Sequence, residues 1–135
     1  MDLDKALRIS ARGMQAQTTR LRVIAENLAN QDTTGSTPDV PPYRRKTVDF
    51  ENQMDRATGQ NLVKVKKVGQ DKSAFPQRFE PSHPAADKNG YVRTPNVNSF
   101  VEVMDMREAQ RSYSANLQVM QVTRGILTRA IEMLK

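Results

Sequence analysis

The sequence predicts a mainly α-helical protein in which two long terminal helices pack as an antiparallel coiled coil, with a small extended β-rich insert between them. Two observations predict this arrangement. Apolar residues recur at alternating four- and three-residue steps along residues 1–32 and again along residues 96–135, which is the spacing of a coiled-coil helix. All seven prolines lie in residues 33–95, where they exclude long helices. We therefore divide the chain into segments 1–32, 33–95 and 96–135.

The first segment carries a seam, meaning a row of positions that a coiled-coil partner would cover. Six of its eight positions are apolar, and the row comprises Leu3, Leu7, Ser10, Met14, Gln17, Leu21, Ile24 and Leu28. Small residues such as Gly13 and Ala16 flank the seam and permit close approach of a second helix. The helix is expected to end near Asn30, because turn-forming residues follow at positions 33–38.

The last segment repeats the pattern to the end of the chain. Eight of its ten seam positions are apolar, and the row comprises Val103, Met106, Gln110, Tyr113, Leu117, Met120, Arg124, Leu127, Ile131 and Leu134. Ser99 and Glu102 have the spacing of a capping box and predict the start of this helix. We take the apolar positions of both rows as the assembly seam. Its members are Leu3, Leu7, Met14, Leu21, Ile24, Leu28, Val103, Met106, Tyr113, Leu117, Met120, Leu127, Ile131 and Leu134.

The insert between the helices has the character of short strands and turns. Residues 43–50 and 62–68 read as strands, and in the second Val63 and Val65 alternate with lysines, as in a half-buried strand. Asn89 and Gly90 precede another short apolar run and indicate a turn. We expect a small β-rich insert with too few apolar residues to form a large core of its own.

The composition excludes several kinds of functional site. The chain has 135 residues, no cysteine and one histidine, so disulfides, thiolate chemistry and a multi-histidine zinc site are excluded. His83 has no second ligand or nucleophile at a useful spacing, and we expect no enzyme activity, no catalytic residues, no metal and no cofactor. No apolar run is long enough to span a bilayer. The acidic start, with Asp2 and Asp4, predicts no cleaved secretory signal.

Charge leaves one alternative function open. Lysine and arginine number 21 against 15 aspartate and glutamate, a net charge of +6, and the excess is concentrated at residues 44–46 and 64–67. Such clusters can hold phosphates, so a small basic nucleic-acid-binding protein is the alternative.

The seams favour a different function. A second apolar stripe, including Ile9 and Val23 on the first helix and Val122 and Ile126 on the last, calls for further partners and predicts an assembly protein.

Distinctive motifs lie at residues 13–17, 21–30 and 33–35, in the first helix and just after it, and at residues 111–116 in the last helix. They resemble the terminal motifs of the bacterial flagellar basal-body rod protein family. The insert resembles the proximal-rod members of the family, although Ala85 stands where an acidic residue is expected. The motif residues that we single out are Asn27, Leu28, Ala29, Asn30, Thr33, Thr34, Gly35, Pro81, Ser82, His83, Pro84, Gly90, Tyr91, Val92, Pro95, Asn96, Val97 and Asn98.

The resemblance implies a structural subunit that polymerises helically into the proximal rod, the drive shaft that crosses the periplasm and transmits torque. Residues 1–32 and 96–135 would be axial-core helices, and residues 33–95 would lie outside them. The implied partners are copies of the chain itself, other flagellar rod subunits and, during secretion without a cleaved signal, the flagellar type III export apparatus. Neither a nucleic acid nor a direct membrane span is implied, and the implied location is the flagellar basal body.

Overall fold

Two long helices, one at each end of the chain, pack against each other, and a small β insert lies between them in the sequence. The two helices and the β insert of the predicted fold are thereby confirmed. The structure is a computed structural model and describes residues 2–134. Its elements are α1 (Leu3–Ala29), β1 (Lys46–Asp55), β2 (Gln60–Gln70), β3 (Gln77–Phe79), β4 (Tyr91–Arg93) and α2 (Ser99–Met133). No helix within residues 2–134 combines the length and the apolar character that a membrane span requires.

The chain forms two compact units, and each helix contributes residues to both. The first unit contains residues 2–21, 48–67 and 106–134 of the described chain, and so includes most of the β1–β2 hairpin. The second unit contains residues 22–47 and 68–105, and so includes the β3–β4 hairpin. The division into segments 1–32, 33–95 and 96–135 is a statement about roles in an assembly, and it stays a prediction.

Helix α1 begins and ends where the sequence predicts. Asp4 lies in its first turn, where a carboxylate suits the positive end of the helix dipole, and it accepts a 2.8 Å hydrogen bond from Arg8 one turn later. The helix ends at Ala29, followed by a last backbone bond from Asn30 to Glu26. Turn-forming residues follow, so the expected end near Asn30 is confirmed.

Helix α2 starts at the predicted place but with a different cap. The Asn98 side-chain oxygen accepts hydrogen bonds from the backbone N–H groups of Phe100 at 3.0 Å and Val101 at 3.3 Å, so Asn98 is the N-cap. The expected capping box of Ser99 and Glu102 is wrong, because the Glu102 carboxylate points away from the helix end and bonds to other elements.

The insert forms two separate two-stranded sheets. The predicted strands at residues 43–50 and 62–68 are present as β1 and β2, which are longer than expected. Strands β3 and β4 are antiparallel, with Gln77 opposite Arg93 and Phe79 opposite Tyr91. The turn signal at Gly90 is confirmed: its φ of 84° lies in the left-handed region that favours glycine, and it sits directly before β4.

Candidate functional site

The predicted seam is largely left uncovered by the chain itself. Among the apolar seam positions of α1 only Ile24 is buried, whereas Leu3, Leu7, Met14, Leu21 and Leu28 are half-buried. On α2 the half-buried members are Met106, Tyr113, Met120 and Leu127, and the exposed members are Val103, Leu117, Ile131 and Leu134. The exposed fraction of Leu117 is 38%, and that of Leu134 is 89%. Most of the large apolar side chains of the seam therefore remain accessible to another protein.

Within the first unit, small residues bring the two helices together. A Cβ atom placed on Gly13 would lie 2.8 Å from the Asn116 side-chain nitrogen, so the helix backbones are close at this point. Ala109 is fully buried, and Ala16 is 3% exposed. Arg20 of α1 forms an ion pair with Glu108 of α2 at 3.4 Å. The contact between the helices thus depends on small and polar residues rather than on the long side chains of the seam.

The covered face of α2 lies one residue before the predicted seam. Glu102, Ala109 and Thr123 are buried and Asn116 is half-buried, and these positions recur every seven residues. The seam positions Val103, Gln110, Leu117 and Arg124, which follow each of them, are exposed. The small residues that flank the seam on α1, such as Gly13 and Ala16, are the sequence signal for the intrachain contact.

In the second unit, Asn27 joins the end of α1 to the start of β1. Its side-chain nitrogen donates to the Lys46 carbonyl at 2.9 Å, and its oxygen accepts from the Lys46 N–H at 2.9 Å. The Tyr43 hydroxyl donates to the same oxygen at 2.8 Å, and burial raises the pKa of Tyr43. The Asn27 amide therefore supplies the two hydrogen bonds that a neighbouring strand would otherwise give to the Lys46 backbone. These bonds and the one from Tyr43 compensate for the burial of the Asn27 side chain.

A buried ion pair extends this junction to α2. Glu102 is fully buried, with one carboxylate oxygen bonded to the Arg45 guanidinium and the other accepting from Asn27 at 3.2 Å. Arg45 also lies 3.7 Å from Asp71 and 3.6 Å from Asp105. A buried carboxylate requires such partners. We call Asn27, Tyr43, Arg45, Lys46 and Glu102 the polar junction.

Two further carboxylates at the edge of the polar junction have displaced pKa values. Glu26 accepts a 2.7 Å hydrogen bond from the Lys46 ammonium, which lowers the pKa of Glu26 and raises the pKa of Lys46. The pKa of Asp71 is lowered chiefly by the backbone N–H of Ser73, which donates to it at 2.8 Å. Both carboxylates are therefore stabilised in their charged forms.

Sequence reasoning identified only part of the polar junction. Asn27 was singled out as a motif residue, but Arg45 was placed in a basic cluster and Glu102 in a cap. Their pairing joins residues 57 positions apart in the chain. A polar glutamate on the otherwise small-residue face of α2 was the available signal for a buried partner.

Several motif residues of the insert hold its loops together. Thr34 and His83 are joined by a 3.2 Å hydrogen bond between the hydroxyl and Nε2, while His83 Nδ1 accepts from the Ala85 N–H at 3.0 Å. Ala85, the departure from the family pattern, is buried. A Cβ atom on Gly35 would lie 2.1 Å from the Val40 carbonyl oxygen, so no other residue fits there without a backbone shift.

The remaining motif residues lie in different surroundings. Asn96 accepts from the Arg45 N–H at 2.8 Å and donates to the Asp71 carbonyl at 3.1 Å, and Asn98 caps α2. The residues Gly90, Val92 and Pro95 are buried. Those half-buried are Leu28, Asn30 and Val97, and those exposed are Ala29, Thr33, Pro81, Ser82, Pro84 and Tyr91. Tyr91 packs edge-on against Phe79, with 5.3 Å between the ring centroids.

A metal-binding cluster and a concave pocket are two further kinds of site to consider. Within residues 2–134, no group of three or more histidine or acidic side chains could hold a metal ion. In the first unit, a groove of about 710 Å³ lies between α1 and the β1–β2 hairpin. Its lining includes Arg12, Thr19, Asp55 and Lys64 and contains no histidine. The uncovered apolar helix faces are the candidate functional surface, because they expose large side chains such as Leu117 and Ile131.

Comparison with known proteins gives matches at both ends of the chain. The family model "Flagella basal body rod protein" matches residues 7–36, and the model "Flagellar basal body rod FlgEFG protein C-terminal" matches residues 88–133.

Relatives match over nearly the full length. A "Flagellar basal-body rod protein FlgC" from Agrobacterium fabrum is 50% identical over 133 residues, covering 98% of this chain and 96% of the relative. Proteins of the same name from Bacillus subtilis and Salmonella typhimurium are 37% and 39% identical, covering 94% and 91% of this chain and 95% and 91% of the relatives. The chain therefore belongs to the flagellar basal-body rod protein family, whose members are structural subunits of the flagellar basal body.

Proposed function

We propose that this rod subunit polymerises helically, with copies of itself and with other rod subunits, into the proximal rod that crosses the periplasm and transmits torque. Residues 1–32 and 96–135 form the axial core of that polymer, and residues 33–95 lie outside it. The observation that carries the proposal is the uncovered apolar surface of the helices. Leu117, Ile131 and other large seam side chains are accessible in the single chain, and apolar faces of this extent mark sites of protein contact.

The helix contacts of the first unit support an antiparallel coiled coil as the form of this core. Gly13 of α1 meets Asn116 of α2, whereas Arg20, later in α1, meets Glu108, earlier in α2. Contacts that advance along one helix while they retreat along the other are those of antiparallel helices. The small-residue contact holds the pair together and leaves the larger seam side chains for neighbouring subunits.

The same proposal assigns the chain no catalytic role and no cofactor. It also makes the chain a substrate of the flagellar type III export apparatus, because a rod in the periplasm must be built from exported subunits. The nucleic-acid alternative gains no support from the basic cluster at residues 44–46. Arg45 is paired with Glu102, and Lys46 with Glu26, so these cations are engaged within the chain rather than free for phosphates.

The decisive experiment places one charge on the uncovered seam. Leu117→Asp introduces a carboxylate where the single chain leaves the side chain 38% exposed, so the subunit is expected to fold. In the rod the same position is expected to be covered, and burying an aspartate there loses about 1.5–3 kcal/mol of apolar burial and adds a desolvation cost in every copy. Cells whose only copy carries Leu117→Asp are expected to export the chain but build no rod and not swim.

Gln118→Asp is the matched control, because it adds the same charge at the next position, where an exposed polar residue already stands. These cells are expected to swim. Circular dichroism of both purified chains checks that the helices are intact. Normal motility with Leu117→Asp would contradict the proposed core. Ile24→Asp is less informative, because Ile24 is buried within the chain itself.

A further inference from the structure

We propose that the β1–β2 hairpin links successive copies of this chain by edge pairing, with β1 of one copy beside β2 of the next. The inference rests on the proposed function as a polymer, and it names a contact and its partner, namely the opposite edge of a second copy. The hairpin residues that carry the argument, 48–55 and 60–67, belong to the first unit.

The hairpin has two open edges. In the part of the chain that the structure describes, β1 and β2 pair only with each other, so each strand has one side without a partner strand. Among the described residues, Asn27 closes the start of β1 by bonding both backbone groups of Lys46. Most side chains of both strands are exposed or half-exposed. An isolated two-stranded ribbon is marginally stable and offers unpaired backbone donors and acceptors to another strand.

In residues 48–55 and 60–67 the charges on the two strands are separated by sign. Asp49 and Glu51 lie on β1, while Lys64, Lys66 and Lys67 lie on β2. Within residues 2–134, none of these five side chains forms an ion pair or a side-chain hydrogen bond. This contrasts with the second unit, where Arg45, Lys46 and Glu102 are all paired. The hairpin thus carries an acidic edge and a basic edge whose charges have no ion-pair partner among residues 2–134.

This separation selects one mode of pairing. Two β1 edges, or two β2 edges, would bring like charges together across the new strand pair, which is destabilising. A β1 edge beside a β2 edge brings opposite charges together. Such a contact uses different surfaces on the two copies, so it repeats from copy to copy and gives a ring or an open helical polymer rather than a two-fold dimer.

Lysines on an edge strand commonly protect a protein from unwanted pairing. Here Lys64 and Lys66 have that effect toward another basic edge, but they favour an acidic one. Exposed apolar side chains on β1, Phe50 and Met54, add surface that a neighbouring strand would cover. The charge pattern therefore prevents self-pairing of like edges and permits the head-to-tail contact.

Charge reversal tests the proposal in the assembled structure. One variant carries Asp49→Lys and Glu51→Lys, and a second carries Lys64→Glu and Lys66→Glu. Either variant alone is expected to reduce motility strongly, because both edges of its hairpin then carry charges of the same sign and repel the edges of the next copy. Cells producing both variants are expected to recover motility, because copies can alternate with opposite edges in contact. A chain with all four changes is expected to swim, since it restores opposite edges in every copy.

The co-production result distinguishes contacts between copies from folding of the hairpin. Both variants still have like charges within their own hairpins, so recovery in the mixture can come only from contacts between copies. Wild-type motility with either variant alone, or no recovery in the mixture, would overturn edge pairing. Motile cells with either variant alone would also show that the rod assembles without edge pairing, and the proposed function would not be affected. Failure of the proposed function is read separately, from Leu117→Asp.

Cross-linking supplies a direct measurement, because the chain has no cysteine. Cells produce Asn52→Cys on β1 together with Asn61→Cys on β2, both exposed and uncharged positions, and their isolated basal bodies are treated with a short thiol-to-thiol linker. Mixed dimers are expected in clear excess over random collision, with Ser82→Cys, an exposed loop position, as the control. Same-strand dimers at the random proportion, or no dimers in motile cells, would refute the contact.

Discussion

The buried ion pair of the polar junction gives a prediction whose magnitude follows from the structure. Glu102 is fully buried, and its carboxylate is bonded to Arg45 on one oxygen and to Asn27 on the other. Arg45→Met removes the cation but keeps much of the side-chain volume. The carboxylate would then stay buried with the neutral Asn27 amide as its remaining described partner. Breaking a buried pair in this way costs about 3–5 kcal/mol, a large fraction of the about 5–15 kcal/mol that stabilises a typical domain.

Urea unfolding of the purified chain, followed by helical circular dichroism, measures this loss. With a slope of about 1–3 kcal/mol per molar urea, the midpoint is expected to fall by at least about 1 M in Arg45→Met. Lys46→Met is the matched control at the next position. The Lys46–Glu26 pair is partly exposed, with 39% and 34% of the two side chains accessible, so solvent screening makes the expected loss much smaller.

The double variant Arg45→Met with Glu102→Leu completes the test. It removes both charges and leaves no buried carboxylate, so it is expected to be more stable than Arg45→Met alone, as uncharged replacements of buried pairs often are. If Arg45→Met unfolds within about 1 kcal/mol of wild type, or if the double variant is no more stable than the single one, the reasoning about the buried carboxylate is refuted.

Two further predictions concern the helix contact and the dependence of stability on pH. Gly125→Ala is expected to stabilise α2 by about 1 kcal/mol in urea unfolding, because nothing lies within 4 Å of the added methyl. Gly13→Ala is expected to gain less stability or to lose some, because its methyl would lie 2.8 Å from Asn116. Equal gains in the two variants would contradict the close contact at Gly13. The pKa values of Glu26 and Asp71 are lowered in the folded chain, so their stabilising contribution is present above their ordinary pKa values of 4.5 and 3.8 and is lost as the pH falls through the folded values. The urea midpoint is expected to fall as the pH is lowered below these ordinary pKa values, and to fall less in Asp71→Asn. If the midpoint of Asp71→Asn depends on pH as steeply as that of wild type, the role of Asp71 is refuted.

Periodicity predicted the helices well, because heptad spacing and turn-forming residues are local features of the chain. It did not predict which face of α2 the chain covers. The spacing shows where large apolar side chains lie. Close packing of two helices depends equally on positions with a small side chain or none, where the two backbones can approach. Gly13 and Ala109 meet that second condition, so the intrachain contact formed beside the seam rather than on it.

The polar junction was beyond local reasoning for a different physical reason. Arg45 and Glu102 are 57 positions apart, and nothing near either residue indicates its partner. Alternation of valine and lysine predicted β2, whereas β1 continues beyond Phe50 to Asp55, through largely polar residues that have no alternating pattern. These residues are held by pairing with β2, which is a property of the hairpin and not of the single strand.

The polar junction also determines the order in which the second unit can fold. Asn27 and Glu102 are separated by 75 positions, and both must be present before the buried carboxylate and the buried amide have their partners. Contacts between distant positions form late, because a long loop must first be closed. A process that delivers the chain progressively from its N-terminus will therefore release residues 22–47 well before their partners on α2 arrive. Over that interval the second unit lacks the Glu102 carboxylate that pairs with Arg45 and Asn27, so we expect it to close only after residues 98–105 are available.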